Sequence, residues 1–139
     1  MSGIRAMLKA LRRGEAIGLL PDQVPDPGRG GEGAWAEFFG RPAYTITLVQ
    51  KFAKTTKALV VMIACVRLPQ AQGYRLTFTP LGAFSDDLQK AARELNVAVE
   101  AAIALAPDQY LWSYNRYKVP PGSTPSPAVR ERAGVRASD

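Results

Sequence analysis

The stretch AIGLLPDQ (residues 16–23) is the most informative part of this chain, because a short apolar run ends there in a proline and then an acid. Apolar runs of this length, bounded by glycine and proline, are typical of buried strands. Open α/β sheets bind ligands just beyond the carboxyl ends of their strands, which is the position this prediction gives Asp22. The chain contains no histidine, so this carboxylate is one of few candidates for acid–base chemistry.

Length and composition favour one domain, or part of one, with a basic surface. The chain has 139 residues, 47% of them hydrophobic, and a net charge of +6. That charge favours anionic partners such as phosphates, nucleic acid or an anionic membrane face. The lone Cys65 lies in an apolar run and is predicted to be a buried, unreactive thiol. Apolar runs are too short for a membrane span, which needs about 20 residues, and the first residues do not resemble a signal peptide.

The first half of the chain is predicted to alternate helix and strand. Apolar spacing predicts a helix over residues 4–13, and the opening stretch supplies a strand over residues 16–20. A long loop, rich in proline and glycine, is expected over residues 21–42. A second helix is predicted over residues 45–56. The strand predicted over residues 58–66 has no alternation, so we expect it to be buried on both faces, as parallel strands are.

The second half adds a strand, a helix and a tail. Residues 74–80 alternate and predict a half-exposed strand, antiparallel to the one before because the connection is short. Ser85 is a suitable N-cap for a helix that runs to about Ala106. From Pro120 onward the composition predicts a disordered tail. The order of elements indicates an α/β fold with a mixed sheet flanked by helices, its first strands lying outside this chain.

Two patterns in the loop over residues 21–42 each have a functional interpretation and a simpler structural one. GRGGEG (residues 28–33) matches the dinucleotide pattern G-x-G-x-x-G, but it does not join a strand directly to a helix, so a flexible loop is favoured. Its RGG-like start is a weak indication of RNA binding. Asp22, Asp26, Glu32 and Glu37 match no metal-site spacing, and solvated loop carboxylates are the default. Asp22 differs because it immediately follows the predicted strand. We predict no metal and no cofactor.

Two basic segments leave alternatives open. Lys51, Lys54 and Lys57 form either the solvated face of a helix or a surface for phosphate or anionic lipid. Residues 110–118 combine aromatic and basic side chains. They form either a C-terminal helix that docks Leu111 and Trp112 into the core, or a segment whose Arg116 and Lys118 reach the same anionic ligand as the Asp22 loop.

Five segments, in order and spread over residues 4–118, resemble one family. They are LKALRRGEA (8–16), LLPDQ (19–23), FFGRPA (38–43), GYRL (73–76) and PDQYLW (107–112). Together they are similar to the lipid A biosynthesis (late) acyltransferases of Gram-negative bacteria, within the lysophospholipid acyltransferase superfamily. The resemblance implies an α/β acyltransferase fold, of which residues 1–118 are the C-terminal half and residues 119–139 the tail.

The resemblance also implies an activity. Such enzymes transfer a fatty acyl group from the thioester of acyl carrier protein to a hydroxyl of a lipid A precursor, at the cytoplasmic face of the inner membrane. Their general base is the histidine of an H-x-x-x-x-D/E motif upstream of the matched segments. Since this chain has no histidine, we expect it to be inactive alone.

Site residues follow from the same resemblance. Asp22 lies in the block that shapes the acceptor pocket near the catalytic histidine, so it is a candidate for orienting substrate or a catalytic group, with Gln23 beside it. Arg41 and Arg116 are candidates for binding acceptor phosphates. The segment YNRYK (114–118) departs from the family's HRRFK, because a histidine and an arginine are replaced.

Two other interpretations remain. The chain is alternatively a basic, non-enzymatic module that binds nucleic acid or anionic lipid, or a degenerate remnant without activity. The ordered segments favour the acyltransferase, for which no nucleic-acid partner is expected.

Overall fold

The computed structural model describes residues 2–125. Within them lie three α-helices and two separate antiparallel sheets of two strands each. In chain order the elements are α1 (Ser2–Arg12), β1 (Gly33–Phe38), β2 (Arg41–Ile46), α2 (Leu48–Thr56), β3 (Val61–Arg67), β4 (Tyr74–Pro80) and α3 (Leu88–Ala104). The α/β class predicted from the sequence is confirmed, but the strands form two hairpins where a single mixed sheet was expected.

The core lies between the first hairpin and α3. Phe38 and Ala43 of the hairpin pack against Val99 and Ile103 of the helix, and all four are buried. Burial of each of the larger side chains, Phe38, Val99 and Ile103, stabilises the folded state by about 1.5–3 kcal/mol. The amphipathic stripe predicted for α3 is therefore confirmed as the face that the hairpin covers.

The first hairpin overturns the prediction of one long loop over residues 21–42. Its strands alternate in burial, with Ala36 and Phe38 facing inward from β1. Phe39 and Gly40 form a two-residue turn in which both have positive φ, 44° and 74°. Such a turn matches the twist of a hairpin, although a glycine or asparagine is more usual at its first position. Alternation over only six residues, following a glycine-rich stretch, concealed the strand.

Helix boundaries differ from prediction at two places. Thr45 belongs to β2, so α2 begins only at Leu48. The β-branched side chains before Leu48 favour the strand. Helix α3 is capped by Asp87 and not by Ser85, because the Asp87 carboxylate accepts from the backbone N–H of Gln89 (2.8 Å) and Lys90 (3.0 Å). The helices themselves, including α1, were predicted correctly.

The strand predicted over residues 16–20 is not present. This segment has no regular secondary structure and pairs with no strand among the described residues, and Leu20 is 64% exposed. The burial predicted for both faces of β3 is also wrong. One face carries Ile63, which is 56% exposed, and an exposed Cys65, so the thiol is not buried. Both errors have one reason: an apolar strand is buried only where neighbouring elements cover it.

The second hairpin confirms another prediction. Strands β3 and β4 are antiparallel, with Ile63 opposite Phe78 and Cys65 opposite Leu76. Most of the tail predicted to be disordered, residues 126–139, lies outside the described residues. The division into residues 1–118 and 119–139 stays a prediction.

Candidate functional site

Asp22 lies near a group of polar side chains from the C-terminal segment. We call Asp22, Tyr110, Tyr114 and Arg116 the Asp22 cluster. Asp22 follows the irregular segment over residues 16–20, and the other three lie in a series of turns after α3. The helix considered for residues 110–118 does not form, and Leu111 and Trp112 point outward, 66% and 58% exposed. The turns instead direct Tyr110 and Arg116 toward the interior.

Arg116 is the buried centre of a hydrogen-bond network. Its side chain is 3% exposed. It donates from Nη1 to the carbonyl oxygen of Tyr44 (2.9 Å) and from Nη2 to Thr45 Oγ1 (2.8 Å) and Asn96 Oδ1 (3.1 Å). Its Nε has no partner among the described residues. Arg116 therefore ties the C-terminal segment to both β2 and α3.

Charge and burial link Arg116 to Asp22. Burial lowers the pKa of the Arg116 guanidinium, while the nearby Tyr110 and Asp22 act in the opposite direction. Burial and then the negative charge of Asp22 raise the pKa of the Tyr110 phenol to about 12. The Tyr110 hydroxyl makes no hydrogen bond of normal geometry among the described residues, yet Asp22 is close enough to act on it. The Tyr110 phenol therefore keeps its proton to a higher pH than an unperturbed tyrosine does.

Tyr114 holds the loop that carries Asp22. Its hydroxyl accepts a hydrogen bond of 2.8 Å from the backbone N–H of Val24, ninety residues earlier in the chain. Val24 is buried, whereas Gln23 beside it is exposed. The backbone on the carboxyl side of Asp22 is thus fixed to the C-terminal segment.

Arg41 lies beside Tyr117, the residue that follows Arg116. It is exposed, and its guanidinium carbon stands 4.0 Å from the centre of the Tyr117 ring, a cation–π contact. The positive charges of Arg41 and Arg116 both act to lower the pKa of Tyr117, although burial raises it on balance. The structure thus links Arg116 to Asp22 by charge and brings Arg116 and Arg41 to the same Tyr117 side chain, while Gln23 lies at the surface.

An apolar cavity adjoins the Asp22 cluster. It has a volume of about 730 Å³ and lies between residues 14–22, α2, β3 and α3. Asp22, Gln109 and Tyr110 are polar members of its lining, and most of the rest are aliphatic. A carboxylate and a phenol thus stand beside an apolar volume, an arrangement typical of sites that hold amphipathic ligands.

Sequence reasoning missed the partners of Arg116. Asn96 is fully buried on the apolar face of α3, and Thr45 is fully buried in β2. A polar residue within an otherwise apolar helical stripe is a recognisable signal, because a buried amide requires partners. Tyr110 and Tyr114 lay in a segment already singled out, but their individual roles depend on turns that spacing does not predict.

Comparison with known proteins connects this geometry to a family. A family model described as bacterial lipid A biosynthesis acyltransferase matches residues 1–119. The chain belongs to the bacterial lipid A biosynthesis acyltransferase family. The resemblance stated from the ordered segments is thereby confirmed, and the Asp22 cluster lies within the matched region of this acyltransferase family member.

Several curated members of the acyltransferase family are similar to this chain. It is 34% identical over 122 residues to the lipid A biosynthesis palmitoleoyltransferase of Escherichia coli (strain K12), and the alignment covers 86% of this chain and 39% of that protein. It is 32% identical over 126 residues to the lipid A biosynthesis lauroyltransferase of the same strain, covering 88% and 40%. The chain therefore spans about two fifths of the length of these relatives.

Other motifs of this acyltransferase family member have simpler roles. The glycine-rich residues 28–33 run from a short 3-10 turn directly into β1, so they do not form the strand-to-helix junction of a dinucleotide site. Lys51 and Lys54 of α2 pair with Glu32 and Asp86.

Over residues 2–125, no three His, Cys, Asp or Glu side chains converge as metal ligands. No helix in the same range is long and apolar enough to cross a membrane.

Proposed function

We propose that this chain forms the acceptor-side part of a lipid A biosynthesis acyltransferase. The complete enzyme would transfer a fatty acyl group from the thioester of acyl carrier protein to a hydroxyl of a lipid A precursor. It would work at the cytoplasmic face of the inner membrane and would need no cofactor. The general base would come from polypeptide outside this chain, since the chain contains no histidine.

The position of Asp22 beside the apolar cavity is the observation that carries the proposal. The cavity of about 730 Å³ is lined by aliphatic side chains, with Asp22 and Tyr110 among its few polar groups. An acyl acceptor such as a lipid A precursor has apolar chains and a polar, phosphorylated headgroup. A site with an apolar volume and a carboxylate beside it suits both parts of such a molecule.

The proposed reaction is a transfer from sulfur to oxygen. The acceptor hydroxyl oxygen attacks the thioester carbonyl carbon, an ester bond forms and the carbon–sulfur bond breaks. The hydroxyl proton passes to the base and then to the departing thiolate. Asp22 would orient either the acceptor or that base, because Val24, two residues later, is fixed by Tyr114.

Arg41 and Arg116 would contribute positive charge to the acceptor phosphates in different ways. Arg41 is exposed and accessible to a phosphate. Both terminal nitrogens of Arg116 are already bound by Tyr44, Thr45 and Asn96. We therefore propose direct contact for Arg41 and an electrostatic contribution for Arg116. Gln23, exposed beside Asp22, would hydrogen-bond the acceptor.

The first experiment separates Asp22 from the rest of the surface. In the full-length parent enzyme, Asp22→Asn is expected to lower kcat about 100-fold, the range for misplacement of reacting groups by about 1 Å. Asp108→Asn is the matched control, because Asp108 is an exposed acid close in sequence to Tyr110. Unchanged turnover in Asp22→Asn, with the control also unchanged, would refute the role given to Asp22.

The second experiment tests the need for an external base. The isolated chain, supplied with an acyl carrier protein thioester and a lipid A precursor, is expected to show no acyl transfer. Sustained turnover in that assay would overturn the proposal that the histidine lies outside the chain. The comparisons offer no support for the alternative of a nucleic-acid-binding module.

A further inference from the structure

The Tyr110 side chain is held by three separate contacts. The neighbouring Gln109 amide donates to the carbonyl oxygen of Arg67 (3.1 Å) and accepts from the backbone N–H of the same residue (2.9 Å), which ties this part of the chain to the end of β3. The Tyr110 ring packs against the core cluster between the first hairpin and α3. It also meets the Trp112 ring edge to face, with 4.9 Å between the ring centres. The direction of the phenol is therefore fixed by the fold.

Trp112 is itself held, although more than half of it is exposed. Its Nε1 donates to the carbonyl oxygen of Pro107 (2.7 Å), and its backbone N–H donates to the carbonyl oxygen of Tyr110 (2.9 Å). All the contacts that hold the Tyr110 ring join residues of this chain. Polypeptide outside the chain is therefore not needed to place the phenol.

At the end of this fixed ring, the Tyr110 hydroxyl is buried with no hydrogen-bond partner of normal geometry among the described residues. Buried polar groups are nearly always paired, so the hydroxyl requires an acceptor. The groups that act on the phenol are those of Asp22, Arg116 and Tyr114. A guanidinium has no acceptor atom, and the Tyr114 hydroxyl already accepts from Val24. Asp22 lines the same cavity as Tyr110, and its carboxylate is the strongest acceptor of the three.

We propose that the Tyr110 hydroxyl donates to the Asp22 carboxylate and that Tyr110 is the positioning residue for this carboxylate in the complete enzyme. Tyr114 fixes the backbone beyond Asp22, but a backbone anchor leaves the carboxylate free to rotate. A rigid phenol supplies the missing constraint, because a site needs groups whose own conformations are locked by packing. The proposal rests on the proposed role of Asp22 and adds the residue through which the fold controls it.

The first test removes only the hydroxyl, in the full-length parent enzyme. Tyr110→Phe should lower kcat about 10-fold, the lower end of what one hydrogen bond to a charged group is worth when expressed as a rate. Tyr74→Phe is the matched control, because it removes the hydroxyl of a tyrosine on β4 that is 68% exposed. The control should keep full turnover, and circular dichroism checks that both variants fold.

The second test asks whether Tyr110 acts through Asp22. In a protein that already carries Asp22→Asn, the addition of Tyr110→Phe should change kcat by less than about 2-fold, because the carboxylate to be positioned is already gone. A purely structural contribution of Tyr110, or its direct contact with substrate, would instead lower kcat by the same factor in both backgrounds.

The third test detects the contact without any assay of activity. Burial and then the charge of Asp22 raise the pKa of Tyr110 to about 12. In the 139-residue chain with isotope-labelled tyrosine, an NMR titration should show that Asp22→Asn lowers the pKa of Tyr110 through part of this rise, since burial remains. Asp108→Asn, at an exposed acid close in sequence, should leave the titration unchanged.

Three results would overturn the proposal. They are full turnover in Tyr110→Phe although Asp22→Asn loses turnover, an equal loss from Tyr110→Phe with and without Asp22→Asn, and a Tyr110 titration that Asp22→Asn does not move. If Asp22→Asn keeps full turnover but still shifts the Tyr110 titration, the role of Asp22 in the reaction fails while its contact with Tyr110 stands.

Discussion

Replacing Asn96 by alanine is expected to destabilise the fold strongly, because one buried amide joins three parts of it. Asn96 lies fully buried on α3. Its Nδ2 donates to the carbonyl oxygen of Glu37 (2.8 Å) and to Thr45 Oγ1 (3.0 Å), and its Oδ1 accepts from Arg116 Nη2 (3.1 Å). The variant removes these three hydrogen bonds and leaves a buried guanidinium with fewer acceptors.

The magnitude follows from the kinds of bond that are lost. Two are neutral hydrogen bonds worth about 1 kcal/mol each, and the bond to Arg116 involves a charged group worth about 1.5–3 kcal/mol. The sum is a loss of about 3–5 kcal/mol in the free energy of unfolding. Domains of this size are stable by about 5–15 kcal/mol in all, so the Asn96 variant should lose at least about a fifth of the stability of the fold.

Urea unfolding followed by tryptophan fluorescence measures this loss. Lys90→Ala, on an exposed position of the same helix, is the matched control and should change stability by less than about 0.5 kcal/mol. A double-mutant cycle with Arg116→Met isolates the contact between the two side chains and should give a coupling energy of at least about 1 kcal/mol. A coupling near zero, or a loss below about 1 kcal/mol for Asn96→Ala, would refute the network as the link between α3 and the C-terminal segment.

Three further changes test other parts of the site. Tyr114→Phe removes the acceptor of the Val24 N–H. It should lower the free energy of unfolding by about 1 kcal/mol and speed hydrogen exchange at the Val24 amide. Unchanged exchange would contradict the anchoring of the Asp22 loop. Gln50→Met should raise the Tm. The Gln50 amide is buried with no hydrogen-bond partner among the described residues, and an apolar side chain of similar shape avoids the free-energy cost of burying it unpaired. A lower Tm would show that the amide is hydrogen-bonded in solution. The pKa of Tyr110 is raised in the folded state from its ordinary 10.0 to about 12. Between these values the folded protein retains a proton that the unfolded chain loses, so the free energy of unfolding falls as pH rises. In Tyr110→Phe that fall should be shallower, as measured by urea unfolding at pH values across this window, and an identical slope would argue against the assignment.

The helices were the most predictable part of the fold. Residues of α1 and α3 repeat at helical spacing, and this periodicity is a property of the sequence itself. The β1–β2 hairpin was not predicted, because its turn uses Phe39 at positive φ, where the usual signal is asparagine or glycine. The first strand was predicted wrongly since residues 16–20 have the composition of a strand but no described neighbour with which to pair.

The candidate site was predictable only in part. The ordered segments marked Asp22 and Arg116, and the comparisons confirm the family to which those segments pointed. The contacts of Arg116 with Thr45 and Asn96 join positions 71 and 20 residues apart. No local pattern specifies such contacts, because they arise from the packing of the hairpin on α3.

The sequence by itself determined the α/β class, the three helices and the family, since these depend on periodicity and on the order of short segments. Tertiary structure alone decided that Arg116 is buried while Arg41 is exposed. It also decided that Lys51 and Lys54 are paired with acids while the cations of α1 are not. The physical reason is the same in each case: solvation and charge pairing depend on which elements meet in space, and a chain's composition does not fix those neighbours.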